Sequence, residues 1–246
     1  MDVGPRGRAR DRQSPPTTAF CGLLLALAVV FVTLGSWQVQ RLFWKIDLIA
    51  RVEARIHAKP VAVPSRTEWN GLSAEKDEYR RVTATGEFMH NHQVLVQAVT
   101  ELGPGFWVIT PMFLPHRTIV MINRGFVPGD RRAAAAHIAH DRIPVANVTG
   151  LLRMPEPGGA FLRDNDPAAG RWYSRDVAAI ADAQGLHNVA PYFVDADATP
   201  NRGGLPIGGL TVVSFRNSHL AYAATWYLLA IMCGGGIYVI RRQRPV

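Results

Sequence analysis

Residues 220–240 contain no Asp, Glu, Lys, Arg or His. At ~1.5 Å of rise per residue a helix of that length crosses a ~30 Å hydrocarbon core, so the stretch predicts a transmembrane helix over residues 217–240. Phe215-Arg216-Asn217-Ser218-His219 precedes it and puts His219 at the edge of the apolar span. Helical residues three, four and seven apart share a face, so His219, Tyr222, Ala223 and Trp226 fall on one stripe. An imidazole, a phenol and an indole then stand together at a membrane boundary.

A second apolar stretch, residues 18–39, is also long enough to span. Arg6, Arg8, Arg10 and Arg12 precede it, and Arg241, Arg242 and Arg244 follow the later span. Basic flanks stay on the cytoplasmic side, which predicts cytoplasmic tails at 1–17 and 241–246 and an outer-face domain at 40–216. Of the formal charge of +8, seven tail Arg set against Asp2 and Asp11 account for five, leaving three for everything else. The basicity belongs to topology, and nucleic acid is not an expected partner. A cleaved signal peptide competes for the first span, but the small-residue cleavage pattern is poor and Trp37, Arg41, Trp44 and Lys45 follow like an interfacial anchor. On a continuing helix Trp37, Arg41 and Trp44 form a second stripe, read either as an aromatic belt with snorkelling cations or as a docking surface. Membrane lipid is the first expected partner.

The helical pattern persists through residues 46–56 until Pro60 and Pro64. From about Glu78 the period becomes that of strands, expected at 79–88, 93–100, 106–114, 118–123, 147–153, 171–174 and 191–195, with a short helix over 177–184 ended by Gly185. Arg124 and Gly125 read as a turn after a strand. The fold class is therefore a membrane protein with two transmembrane α-helices flanking a mainly β (α+β) outer-face domain.

Cys21 and Cys233 are the only cysteines and both lie in the spans, which excludes a disulfide framework and paired-thiol chemistry in the outer domain. His137 with His140, and His90 with His92 on an expected strand edge, lack further ligands at metal-site spacing. Asn201-Arg202-Gly203-Gly204-Leu205-Pro206-Ile207-Gly208-Gly209 is a loop whose glycines allow close main-chain approach; it lacks the Lys and Ser/Thr of a phosphate loop. Gly234-Gly235-Gly236 reads as a helix-packing face.

Several motifs in one order resemble the surfeit-locus-one family, the Shy-type assembly factors of cytochrome c oxidase. They are Trp37-Gln38, Arg41 and Trp44-Lys45; Gly105, Val108, Thr110 and Pro111; and Asn123-Arg124-Gly125-Phe126-Val127-Pro128. Gly150-Leu151-Leu152-Arg153, Pro155-Glu156 and Trp172-Tyr173 follow, and Asn217, His219-Leu220, Tyr222-Ala223 and Thr225-Trp226 close the series. Phe126 stands where many members have Trp. The resemblance implies a bacterial inner-membrane protein with both termini cytoplasmic and a periplasmic domain. It also implies a role in maturing oxidase subunit I, with subunit I and heme a synthase as partners and heme a as a transient guest whose iron ligand would be His219.

The residue chemistry agrees with such a guest. Neutral imidazole ligates iron, and Arg41, Lys45 and Arg216 are cations suited to propionates. Trp37, Trp44, Tyr222 and Trp226 complete the candidate set, with the two stripes expected to face each other as one site. On residues alone, His219 reads equally as a helix-start histidine meeting headgroup water. The leading expectation is a non-enzymatic factor that binds or helps deliver heme a. The alternative is a membrane-anchored scaffold for oxidase subunits that binds no heme. For a third reading, an outer-face enzyme, the sequence offers no G-x-S-x-G elbow, no H-E-x-x-H and no cofactor fingerprint.

Overall fold

The computed structural model describes residues 15–133, 135, 145–159, 163–211, 213, 215 and 217–243. The expectations placed on the two tails (Arg244 and residues 1–14), on His137 and His140 and on Arg216 lie outside the described residues. The chain divides into two compact units, residues 1–49 with 215–246 and residues 50–214. Two helices long and apolar enough to cross a membrane thus flank a sheet-rich domain.

The first unit is a helical pair. Helix α1 (Pro15–Ile56) is unbroken, as the persistent helical pattern predicts, and ends before Pro60. Its partner is α4 (His219–Arg242). Gln38 meets His219, Phe31 meets Trp226 and Leu24 meets Gly236, so the helices run antiparallel. The less exposed positions of α1 include Cys21, Leu24, Ala28, Phe31, Gly35, Gln38, Leu42 and Lys45. Those of α4 include His219, Ala223, Trp226, Ala230, Cys233, Ile237 and Ile240. Both sets step alternately by three and four, the spacing of a coiled-coil seam. Of the glycine triplet, Gly236 is the member that approaches α1: a Cβ there would lie 3.4 Å from Leu24.

The second unit is built on strands β1 (Val61–Ala62), β2 (Arg81–Phe88), β3 (Val94–Thr100), β4 (Gly103–Phe113), β5 (Ile119–Pro128), β6 (Ala146–Arg153) and β7 (Val189–Ala196). Short helices α2 (Ala74–Asp77) and α3 (Val177–Ala183) accompany them. The strand order is β1-β2-β6-β7-β5-β4-β3, and β4 returns to β2 through Glu87↔Phe113 and Phe88↔Met112. Five strands, β2, β6, β7, β5 and β4, therefore close into a ring, which removes the exposed edges of the central strands. All pairings in the ring are antiparallel except β5 with β7.

Alternation along each strand supplies two cores. Val82, Ala84, Met112, Val120, Ile122, Leu152, Tyr192 and Val194 fill the interior, where the Tyr192 hydroxyl donates to the Pro64 carbonyl at 2.9 Å. The opposite side chains, Ile109, Ile119, Met121 and Phe193, pack with Trp172 under Val177, Ile180 and Ala181 of α3. Strands covered on both faces read as continuous apolar runs, as Ile119-Val120-Met121-Ile122 does. Helix α3 starts at Asp176, whose side chain accepts from Ala179 N at 3.1 Å, and gives way to Gly185 at φ 63°.

Three sequence expectations change. Arg124 and Gly125 do not end a strand, because β5 runs on to Pro128 through a bulge. Between the pairs Ile109↔Asn123 and Trp107↔Phe126, β5 holds one residue more than β4. Gly125 absorbs it at φ 131°, where a Cβ would lie 2.3 Å from the Ile207 carbonyl oxygen, while Phe126 and Ile207 exchange two main-chain hydrogen bonds of 2.9 Å. Of residues 171–174 only Arg171 and Trp172 pair, as isolated bridges rather than a strand, with the Trp172 carbonyl accepting from Gln97 N at 2.8 Å. His90 and His92 occupy a 3-10 turn between β2 and β3, not a strand edge.

Candidate functional site

Within the helical pair, α4 begins at His219, whose amide lies 3.4 Å from Asn217 Oδ1. The half-buried imidazole points along the seam to α1, where its Nδ1 stands 2.7 Å from Gln38 Oε1. An amide oxygen only accepts, so with the Gln38 amide turned this way the ring proton belongs on Nδ1. The other nitrogen, Nε2, makes no hydrogen bond among the described residues.

Neighbouring contacts fix this register. Gly35 leaves room for the ring of Tyr227, which lies 2.9 Å from where a Cβ would stand, and Tyr227 Oη is 3.2 Å from Ser36 Oγ. Trp226 stacks on Phe31 with ring centroids 5.7 Å apart and planes inclined by 27°. Ala223, with only a methyl group to set between the helices, is buried between these contacts.

The six residues singled out in the sequence separate into two groups. His219 and Trp226 meet α1. Trp37, Arg41, Trp44 and Tyr222 lie on uncovered surfaces of their helices, with Trp37 53% and Tyr222 57% exposed. The expected facing of the two stripes is therefore replaced by a different pairing. The reason is angular: consecutive helical residues are about 100° apart, and with Gln38 on the seam Trp37 and Arg41 fall beside it. Arg41 instead lies over the Trp44 ring, 4.3 Å from its centroid. Sequence reasoning missed Gln38 and Tyr227. Their signal is a polar side chain and a phenol on otherwise apolar three-and-four spacing.

The sheet unit carries a separate polar centre. Asp195 on β7 is 2% exposed. It accepts from Asn123 Nδ2 at 2.7 Å, Arg153 Nη1 at 2.9 Å, Arg175 Nη1 at 3.1 Å and Thr211 Oγ1 at 2.9 Å. Arg153 Nε also donates to Glu78 at 2.7 Å, and Arg175 grips Glu156 with two nitrogens. Burial opposes ionisation of Glu156, yet the hydrogen bond and charge of Arg175, helped by Arg153, hold its carboxyl below the ordinary range. The motif residues Asn123, Arg153 and Glu156 thus converge on one network, of which Arg153, Arg175, Asp195 and Thr211 line a cavity of about 440 Å³ with Trp107 and Gly209.

A model of the SURF1 family matches residues 25–231. The chain belongs to the SURF1 family. The Surfeit locus protein 1 of Homo sapiens is 32% identical over 225 residues, which cover 85% of this chain and 73% of the human protein. That of Rattus norvegicus is 32% identical over 220 residues, covering 83% and 70%. A SURF1-like protein of Monosiga brevicollis is 34% identical over 234 residues, covering 89% and 87%. SURF1 is a family of cytochrome c oxidase assembly factors, as the motif resemblance implies. The matched span takes in both the sheet unit and His219 with Gln38.

Proposed function

We propose that this SURF1 family member holds heme a at the outer leaflet and aids its delivery to oxidase subunit I, with heme a synthase as the supplying partner. In this reading both apolar helices cross a bacterial inner membrane, the tails are cytoplasmic and the sheet unit is periplasmic, as the basic flanks favour. The observation that carries the proposal is His219. Its Nδ1 is occupied by Gln38, which leaves the Nε2 lone pair without a protein partner among the described residues. That is the donor a heme iron takes from a neutral histidine.

The donor set suits cargo rather than a resident cofactor. A single imidazole would hold the iron by one protein bond, which a ligand of the acceptor could replace. Arg41 and Lys45 supply cations for propionates, and Trp226 stacked on Phe31 supplies an apolar aromatic wall. Full-length protein purified from cells that make heme a is expected to carry its absorption spectrum, and His219→Ala to lose it. Unchanged heme stoichiometry in that variant overturns the ligand assignment.

The exposed Trp37, Arg41 and Trp44 surface favours a second reading, a scaffold that grips oxidase subunits without heme. Under it His219→Ala retains crosslinking to subunit I and restores oxidase assembly in a deletion strain, which the carrier reading does not allow.

A further inference from the structure

We infer that Gln38 is the positioning residue for His219: its side-chain oxygen accepts the Nδ1 proton, fixes the tautomer and turns Nε2 outward as the ligating nitrogen. The inference rests on the heme a reading and names the residue that makes His219 competent for it. Free neutral imidazole distributes its proton between two nitrogens, and only a nitrogen without it can bind a metal. A 2.7 Å contact to an amide oxygen selects one form. Such an outer partner also raises the basicity of a ligating histidine, which is how residues that never touch a metal control it.

The placement of Gln38 does not depend on this one bond. Phe31 against Trp226 and Gly35 against Tyr227 lock α1 and α4 in register over the adjoining turns, and Ser36 adds a hydroxyl contact to Tyr227. The acceptor oxygen is therefore held opposite His219 before any guest arrives. On a seam made mostly of apolar and small side chains, a glutamine at this position has His219 as the partner its amide oxygen meets.

The test uses the full chain in lipid nanodiscs and takes two readouts. In the first, ¹⁵N spectra of labelled histidine recorded without heme are expected to show His219 protonated on Nδ1 and bare on Nε2, with the preference lost in Gln38→Leu. In the second, heme a is titrated and followed by visible absorption. Gln38→Leu is expected to bind roughly 10- to 100-fold more weakly. Gln38→Glu, which keeps an acceptor and adds charge, is expected to retain binding and to lower the reduction potential of the bound iron. A wild-type His219 protonated on Nε2 overturns the inference, as does a Gln38→Leu protein with unchanged affinity and potential. If Gln38→Leu does not insert or fold, Gln38→Glu decides alone, an unshifted potential counting against the inference. Because the tautomer is read without heme, failure of this inference is distinct from failure of the carrier reading, which shows as His219→Ala retaining heme.

Discussion

Asp195 concentrates the energetics of the sheet unit in one carboxylate. Four donors from four segments converge on it, two of them guanidinium groups themselves only 13–14% exposed. Removing the anion of a buried ion pair costs about 3–5 kcal/mol when its cation is left alone; here Arg153 keeps Glu78 and Arg175 keeps Glu156, which sets the cost at the low end of that range. Asp195→Ala is therefore expected to lower the unfolding free energy of the purified protein, measured by chemical denaturation, by an amount in that range. Asp195→Asn, which still accepts, should lose less. A double-mutant cycle with Arg175 should show strong coupling, because the residues share one network. The hydroxyl of Tyr192 illustrates a milder case. It is buried, its acidity is suppressed by burial, and it donates to Pro64. Tyr192→Phe removes that bond while the Pro64 carbonyl keeps the one from Trp69 Nε1 at 3.2 Å, and an expected loss of about 0.5–1.5 kcal/mol is measurable by the same denaturation experiment.

At the scale of elements, the helical pair depends on what its seam lacks. Gly35 lies where a Cβ would stand 2.9 Å from the Tyr227 ring. Gly35→Val is therefore expected to force α1 and α4 apart or to shift their register. Disulfide trapping between cysteines introduced at Gln38 and His219 would fall well below that of the same pair with Gly35 intact. The sheet, whose core lies in the other unit, should keep its denaturation midpoint. Much of this seam was hidden in the sequence for a physical reason. Both helices are apolar nearly all round, so no face is marked by polarity and the partner helix decides which side is covered. The strands were more legible, since alternation locates β2, β3 and β7 to within a few residues. The continuation of β5 was not, because Arg124-Gly125 carries turn chemistry locally and becomes a bulge only when Ile207 pairs with Phe126.

Across the whole molecule, charge sets the response to pH. The carboxyls of Glu156, Glu68 and Asp166 are all held below their ordinary values: Glu156 by Arg175 and Arg153 against the cost of burial, Glu68 by hydrogen bonds from Ser65, and Asp166 by the amide of Ala169 and by Arg171. A carboxyl depressed in the folded state adds stability that is complete above its unfolded value and disappears as pH falls through the folded one. The thermal midpoint of the sheet unit in the full-length protein is therefore expected to be flat from neutral pH to about pH 5 and to fall below the ordinary carboxylate range, near 4.5 for Glu. Most of the decline should survive added salt for Glu156, which is partly buried, and be screened for the two exposed groups. A flat profile down to pH 3 would refute this assignment.

By itself the sequence determined the two apolar helices, the basic flanks, the position of His219 at the head of the second helix, the β character between them and the order of family motifs. These are local properties: hydropathy, periodicity and charge are carried by neighbours along the chain. Only the tertiary structure decided that five strands close into a ring, that Asn123, Arg153 and Glu156 meet around Asp195, and that Gln38 rather than the Trp37, Arg41 and Trp44 stripe stands against His219. Those outcomes depend on pairings between residues as far apart in the chain as Gln38 and His219. Such a pairing is selected by complementary shape and hydrogen bonding across the contact, and neither partner's local sequence specifies it alone.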